Sequence, residues 1–218
     1  MHLLATFWHS TIGKKIVMAV TGLIGIGFLV SHVVSNLQMF GSPEHLDSYA
    51  QLLRSLGPLL WVARAVLLGA VILHVVAAVQ LTTRASAARP VDYRTKVPQA
   101  ATLASRTMFW GGVILALFIV WHILDMTLGV VTPGFEHLRP SHNLPLSLRR
   151  VPVAVFYLVA MVSLGFHLYH GTWSFLKTLG VSRESAHPLK HGISAVVAIA
   201  IAAGFAALPI GVLLGIIR

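Results

Sequence analysis

The stretch GFHLYHGTW, from Gly165 to Trp173, places two histidines, His167 and His170, inside an apolar run that extends from about Val151 to about Leu179. A run of this length exceeds the roughly 20 residues that an α-helix needs to cross a hydrocarbon core about 30 Å thick. Because an ionisable side chain in a spanning segment is costly, such a histidine is a candidate for function. The run therefore predicts a membrane-spanning helix and a functional site within it.

The composition is that of an integral membrane protein. Hydrophobic residues make up 56% of the chain, charged residues only 10%, and the mean hydropathy is +0.82, whereas an average soluble chain has roughly 25% charged residues. Lys and Arg number 16 against 6 acidic residues, but they cluster between apolar runs, as in topogenic loops, and form no stripe for nucleic acid. With 0 cysteines, the chain has no disulfide, no thiolate ligand for an iron–sulfur cluster and no covalent haem attachment.

Five apolar segments are long enough to cross a bilayer. They extend over about Ile16 to Phe40, Leu59 to Leu81, Thr107 to Val131, Val153 to Leu176 and Ile193 to Ile217. Runs this long and continuous exclude strands with alternating polarity. We therefore expect helices, in which the backbone N–H and C=O groups form hydrogen bonds with one another. The sequence therefore predicts an all-α integral membrane protein, a single domain over residues 1–218, whose first four spanning helices form the bundle that carries the site. The first run lacks a small-residue cleavage site and is expected to be a retained helix.

The distribution of basic residues predicts the orientation in the cell membrane. With the N-terminus inside, the inner segments hold Lys14, Lys15, Arg84, Arg89, Arg94, Lys96, Arg106, Lys177, Arg183 and Lys190. The outer segments then hold only Arg54, Arg139, Arg149, Arg150 and Arg218, with Arg64 just inside the second helix. The excess of positive charge on inner loops favours an inside N-terminus and an outside C-terminus.

Four of the 12 histidines lie deep in four different predicted helices, at His32, His74, His122 and His167. From the helical rise, His32 and His122 lie about 12 and about 14 Å from the outer ends of their helices, and His74 and His167 about 22 Å from theirs. We name His32 and His122 the outer pair, and His74 and His167 the inner pair. A lone buried histidine is about as often a packing residue bonded to another helix, but four in successive helices favour a function.

Two imidazoles facing each other across a helical bundle are what a bis-histidine haem requires, so two levels of paired histidines predict two haems stacked along the membrane normal. Six-coordinate iron has no free position, which favours electron transfer over oxygen binding. A zinc site would need three or four ligands at one level, and a transport pathway would usually show more buried carboxylates or broken helices. Gly25 and Gly165 lie near the outer and inner pairs, where a glycine admits either a flat macrocycle or close helix packing.

Four further residues are candidates for binding the haem propionates at the inner face. His170 lies one turn beyond His167, and the basic side chains are Arg84, Arg106 and Lys177. Arginine suits bidentate carboxylate contacts. The alternative for the basic residues is topology alone, and for His170 an interfacial bond to water or backbone. The histidines in or near predicted loops, His2, His9, His45, His137, His142, His187 and His191, are assigned no ligand role.

Extended strings of this sequence resemble the membrane-anchor cytochrome b subunit of succinate dehydrogenases and fumarate reductases of the five-helix, two-haem type. They are GKKIVMAVTGLIGIGFLVSHVVSNLQMF, PEHLDSYAQLLRSLGPLLWVARAVLLGAVILHVVAA, ARPVDYRTK, ASRTMFWGG and GFHLYHGTWSFLKTLG, and the resemblance runs nearly from end to end of the chain. The resemblance implies that His32 and His122 hold the distal haem b and His74 and His167 the proximal one. One departure is Ser35, which stands before Asn36 where the family often has glycine, and it bears on packing at the distal haem.

The same resemblance implies the partners and the reaction. The chain would anchor a flavoprotein subunit and an iron–sulfur subunit on the inner face and exchange their electrons with a quinone, with menaquinone the expected species. No partner nucleic acid is expected, and this chain itself carries no dicarboxylate site. The direction of the reaction, the identity of the quinone, the position of its site, the haem potentials, any coupling to proton movement and the number of complexes per assembly stay open.

Quinone chemistry needs hydrogen-bonding groups and a proton route beside the redox centre. Asp125, one turn beyond His122, is a carboxylate well inside a predicted helix, and Glu44 follows the first helix in an outer loop. We expect Asp125 to bond the quinone or pass its proton, with hydrogen bonding within the bundle as an equal alternative. Glu44 is a second candidate. The alternative is that it is an ordinary solvated carboxylate of a loop.

Two other classes of function remain. One is a dihaem anchor of another quinone-linked oxidoreductase, such as a hydrogenase or a formate dehydrogenase, which the extended strings disfavour. The other is a haem-free transporter or structural anchor, which the two levels of paired histidines disfavour.

Overall fold

The structure is a computed structural model that describes residues 2–88, 103–178, 180 and 187–218. These residues form α-helices with no strand among them. The helices are α1 (His2–His9), α2 (Thr11–Asn36), α3 (Pro43–Ser55), α4 (Pro58–Ala87), α5 (Leu103–His122), α6 (Pro140–Leu148), α7 (Val151–Thr178) and α8 (His187–Leu213). A 3₁₀ turn, Leu37–Phe40, extends α2, and a π-helical turn, Ile123–Thr127, extends α5. The basic residues Arg89, Arg94, Lys96 and Arg183 lie outside the described residues, as does the string ARPVDYRTK beyond its first residue.

Five helical segments are long and apolar enough to cross a membrane, which confirms the predicted all-α membrane fold. They are Thr11–Phe40, Pro58–Ala87, Leu103–Thr127, Val151–Thr178 and Pro188–Leu213. The helices begin between one and five residues before the predicted segments. Ser10 caps the first of them, accepting a hydrogen bond from the backbone N–H of Gly13 at 2.8 Å, as side-chain oxygens at helix N-termini do.

The third segment ends earlier than predicted. The apolar pattern extended it to Val131, but the helix widens into the π-helical turn and stops at Thr127. Gly129 then adopts a φ of +69°, and a Cβ at this position would lie 2.2 Å from Cγ of Phe135. The chain reverses here because only glycine fits both the left-handed backbone and the adjacent ring, and apolarity alone cannot reveal such a reversal.

Two connections predicted as loops contain short helices that lie together at one end of the bundle. α3 and α6 pack against each other, and both begin at a proline, which is favoured in the first helical turn. Asp47 of α3 accepts hydrogen bonds from the backbone N–H of Ser141 at 2.9 Å and from its hydroxyl at 2.6 Å. This carboxylate holds the start of α6 on α3.

Helix α7 is the centre of the packing. It contacts α5 and α8, while α2 packs against α4 and also contacts α7 and α8. Ala154 and Ala160 are 0% exposed, since small side chains let helices approach closely in lipid. A core cluster around Leu164 and Ile201 joins α7 to α8. Helix α4 joins the bundle mainly through α2.

The contact between α8 and α2 predicts a stability difference between two glycines. A Cβ on Gly204 would lie 2.6 Å from Cγ2 of Val33, whereas a Cβ on Gly27 would meet nothing within 4 Å. Gly204→Ala is therefore expected to destabilise the protein by about 1 to 3 kcal/mol through overpacking, and Gly27→Ala to be neutral or stabilising by up to about 1 kcal/mol. Thermal unfolding of both variants in detergent measures this, and an unfolding temperature for Gly204→Ala at or above that of Gly27→Ala would contradict the packing.

Candidate functional site

The four deep histidines meet in two pairs. The ring centroids of His32 and His122 are 5.8 Å apart with planes at 82°, and those of His74 and His167 are 6.1 Å apart with planes at 53°. Each pair joins two different helices, α2 with α5 and α4 with α7. The structure thus brings together the same partners that depth along the helices predicted.

The two pairs lie at different levels of the bundle. On α2, Thr21 contacts His74 of the inner pair, with Oγ1 3.1 Å from Nδ1, and it lies 11 residues before His32, which is about 16 Å along the axis. On α7, Tyr157 contacts His122 of the outer pair, with its hydroxyl oxygen 3.2 Å from Nδ1, and it lies 10 residues before His167, or about 15 Å. Two independent helices therefore give the same separation between the levels.

Hydrogen bonds determine the tautomer of one histidine in each pair. The Thr21 hydroxyl donates its hydrogen to the Val17 carbonyl at 2.7 Å, so its oxygen accepts from Nδ1–H of His74. The Tyr157 hydroxyl donates to Asp125 Oδ2 at 2.8 Å, so its oxygen accepts from Nδ1–H of His122. With the proton on Nδ1, the lone pair is on Nε2, the arrangement by which bonded neighbours orient a metal-ligating histidine.

In the part of the chain that the structure describes, the second ring of each pair, His167 in the inner pair and His32 in the outer pair, has no hydrogen bond that fixes its tautomer. Nδ1 of His167 is buried and has no hydrogen-bond partner among the described residues. Nδ1 of His32 lies 3.4 Å from Nδ2 of Asn36, a separation too long to fix the tautomer.

The spacing of the rings fits one metal ion between the imidazoles of each pair. A metal–imidazole bond of about 2 Å on each side of one ion separates the two ring centroids by roughly 6 Å. In the described part of the chain, no group of three or more His, Cys, Asp or Glu residues is placed to hold a metal ion. Each level brings two imidazoles together. Two opposed imidazoles per iron are the number that bis-histidine haem takes.

The two glycines near the histidines have different surroundings. A Cβ on Gly25 would meet nothing within 4 Å, so this face of α2 is open to a flat group. A Cβ on Gly165 would lie 3.4 Å from Cβ of Ala202, which places Gly165 against α8. Gly165 therefore serves close helix packing, whereas the surroundings of Gly25 leave room for a flat macrocycle.

Aromatic rings surround the outer pair. The ring centroid of His32 lies 5.1 Å from that of Phe28 and 5.5 Å from that of Phe205, and the centroid of His122 lies 5.6 Å from that of Phe118. Phe205 belongs to α8, so the fifth spanning helix also lines this site, in addition to the four helices that the sequence indicated. Nothing in the local sequence around Phe205 distinguished it from other apolar residues of α8.

Asp125 is fully buried, with 0% exposure, at the π-helical turn beyond His122. Its Oδ1 accepts hydrogen bonds from the Thr132 hydroxyl, from the Ser147 hydroxyl at 2.8 Å and from Nη2 of Arg150 at 3.1 Å. Its Oδ2 accepts from Ser147 at 2.6 Å and from Tyr157 at 2.8 Å. The carboxylate is therefore bonded within the bundle, the alternative that stood beside a quinone contact.

Arg150 closes this cluster. Its Nη2 also donates to the Thr132 hydroxyl at 3.0 Å and the Ser147 hydroxyl at 2.9 Å, and its Nη1 donates to the Val131 carbonyl at 2.8 Å. We name Asp125, Thr132, Ser147, Arg150 and Tyr157 the Asp125 cluster. Sequence reasoning identified only Asp125 among them. A tyrosine inside a spanning run and an arginine at its start were the signals available for Tyr157 and Arg150.

Of the remaining predicted residues, His170 and Lys177 lie beside the same Trp173 ring, while Arg84 contacts another group. Nη1 of Arg84 donates to the His9 carbonyl at 2.9 Å, and Lys177 lies over the Trp173 ring with Nζ 4.4 Å from the centroid. The half-buried His170 ring is 5.9 Å from Trp173. Arg106 is exposed in the first turns of α5, and Glu44 is exposed in the first turn of α3.

Comparison of the chain with protein-family models, with curated proteins and with solved structures finds no match. The geometry of the two histidine pairs and of the Asp125 cluster is therefore the basis for assigning a function.

The Asp125 cluster predicts a large difference between two adjacent arginines. Arg150→Met leaves the buried Asp125 carboxylate without its cation, and we expect a loss of about 2 to 3 kcal/mol of stability, below the cost of a wholly buried pair because the Arg150 side chain is 35% exposed. Arg149→Met removes the same charge from an exposed neighbour and is expected to change stability by at most about 0.5 kcal/mol. Unfolding in detergent compares them, and equal stabilities would show that the ion pair contributes nothing.

Proposed function

We propose that this chain is the membrane-anchor cytochrome b subunit of a succinate:quinone oxidoreductase, with His32 and His122 as axial ligands of one haem b and His74 and His167 as those of a second. The observation that carries the proposal is the presence of two opposed imidazole pairs at two levels of one bundle. A haem held by two histidines of this chain would supply one-electron transfer and would offer no coordination position for oxygen.

The chain's own residues contribute orientation and enclosure. Thr21 and Tyr157 accept from the Nδ1–H of His74 and His122, which leaves the lone pair of each ring on Nε2 for a metal ion. Phe28, Phe118 and Phe205 cover the outer pair with apolar surface. Low polarity around a redox group and a small number of fixed hydrogen bonds are the means by which a protein sets its potential.

The orientation and the partners follow from charge and from the resemblance described above. The N-terminus lies inside and the C-terminus outside the cell membrane, so the basic inner face receives the flavoprotein and the iron–sulfur subunit. The propionate roles of His170, Arg84, Arg106 and Lys177 belong to the same face. Of these, Arg84 donates to the His9 carbonyl and Lys177 lies over the Trp173 ring. Each side chain would have to leave that contact to bind a propionate.

The haem assignment predicts selective losses. His32→Ala and His74→Ala are each expected to remove one of two b-type haems, because an iron with one axial imidazole is poorly held, and reduced-minus-oxidised spectra of the purified protein measure this. His45→Ala, an exposed histidine of α3, is the matched control and should retain both. Loss of no haem, or loss of the same haem in both variants, would contradict the assignment.

The choice of reductant tests the enzyme class. In membranes that contain the complete complex, succinate is expected to reduce the haems. Reduction by hydrogen or formate in place of succinate would assign the chain to a different quinone-linked oxidoreductase, while leaving the haem ligands as proposed.

The quinone site is proposed at the level of the outer pair, with Glu44 and Asp125 as its carboxylates. Glu44 is exposed at this end of the bundle, whereas a direct contact with Asp125 requires displacement of one of its bonded donors. A residue that passes a proton typically contributes roughly 10²-fold or more to rate. Glu44→Gln and Asp125→Asn are each expected to lower quinone-dependent turnover by about that factor, through loss of an ionisable group.

Glu136→Gln is the control for these variants. Glu136 is another carboxylate at the same end, paired with Arg139 at 2.5 Å, and its replacement should leave turnover unchanged. Unchanged turnover in Asp125→Asn with full haem content would make Asp125 a structural residue only, and the same result in Glu44→Gln would remove Glu44 from the site.

A further inference from the structure

The two histidine pairs differ in the groups to which Nδ1–H of one ring is linked by hydrogen bonds. Behind His74, the Thr21 hydroxyl accepts from Nδ1–H and passes its own hydrogen to the Val17 carbonyl, a neutral acceptor. Behind His122, the Tyr157 hydroxyl accepts from Nδ1–H and passes its hydrogen to the Asp125 carboxylate. The two arrangements have the same length, one hydroxyl between imidazole and terminal acceptor, and differ in whether that acceptor carries charge.

An ionised acceptor makes this chain of hydrogen bonds stronger. Hydrogen bonds to carboxylates are shorter and roughly twice as strong as neutral ones, and successive bonds in an apolar interior polarise one another. Tyr157 bonds Oδ2, while Arg150 bonds Oδ1, so the ion pair leaves the oxygen nearer the tyrosine to accept from it. The Nδ1–H bond of His122 is thereby polarised, and electron density on the ring increases. Its Nε2 becomes a better electron donor to a metal ion.

We propose that Tyr157 and Asp125 are positioning residues that act on the outer haem through His122, fixing the ring's tautomer and lowering the haem's reduction potential. The inference rests on the haem ligation proposed above and adds the regulation of one of the two sites. A more electron-rich axial imidazole stabilises the ferric iron relative to the ferrous iron, so the potential falls. The inner haem has no such charged group behind His74 among the described residues.

Tyr157→Phe tests this in the purified complex by redox titration of the b-type absorbance. Without the hydroxyl, Nδ1–H of His122 loses its acceptor, and the potential of the outer haem is expected to shift upward while that of the inner haem is unchanged. The outer haem is identified as the one that His32→Ala removes. Tyr169→Phe is the matched control, because it removes another tyrosine–histidine bond of α7, the 2.7 Å contact with His191, 12 residues away from Tyr157.

Ser147→Ala provides a shift of opposite sign. Ser147 donates to both oxygens of Asp125, and without it Oδ2 accepts more strongly from Tyr157. The potential of the outer haem is then expected to shift downward. General damage to the site would not raise the potential in one variant and lower it in the other.

The possible results separate the inference about Tyr157 and Asp125 from the haem ligation on which it rests. An upward shift in Tyr157→Phe with a downward shift in Ser147→Ala supports it. An outer-haem potential unmoved in both variants, or moved equally by Tyr169→Phe, overturns the inference while leaving the haem ligands in place. If Tyr157→Phe loses the outer haem, the sign of the Ser147→Ala shift decides alone. A wild-type protein that carries no haem would overturn the proposed function itself.

Discussion

The cost of an imidazole inside a hydrocarbon core is the constraint on which the rest of this structure depends. Each of the four deep histidines is a polar ring in a segment built for lipid, and lipid offers it no hydrogen bond. The bundle meets part of this cost by placing the rings in pairs and by giving one ring of each pair a hydroxyl neighbour from another helix, Thr21 for His74 and Tyr157 for His122. Nδ1 of His167 has no such partner among the described residues. The pairs join α2 with α5 and α4 with α7, whereas the most extensive helix packing is that of α7 with α8, α5 with α7 and α2 with α4.

The same constraint explains the local irregularity at the end of α5. Asp125 is the second polar group of this segment and is wholly buried. The π-helical turn that holds it, and the reversal at Gly129, bring Thr132, Ser147 and Arg150 around the carboxylate. π-helical turns occur frequently at functional sites. Here the widened turn lets one carboxylate fix the loop after α5, the end of α6 and the start of α7 together.

The number of spanning helices, the all-helical fold and the histidine partners could be predicted from the sequence because they depend on local patterns. Apolar length sets the spans, and depth along a helix follows from a constant rise. The short helices α3 and α6, the early end of α5, the Asp125 cluster and the contact of Phe205 with His32 could not be predicted. The early end of α5 depends on the fit of Gly129 beside the Phe135 ring. The other features depend on residues distant in sequence: Asp47 with Ser141 is separated by 94 positions and Tyr157 with Asp125 by 32. Composition and periodicity carry no information about such pairs.

The proposed function depends on one haem at each imidazole pair. The most direct measurement is the haem-to-protein ratio of the wild-type chain, purified with its native membrane partners and assayed as the pyridine haemochrome. We expect two haems b per chain, one for each pair of rings at 5.8 and 6.1 Å. A ratio of one would leave one pair of buried histidines without its haem, and a ratio of zero would overturn the proposed function.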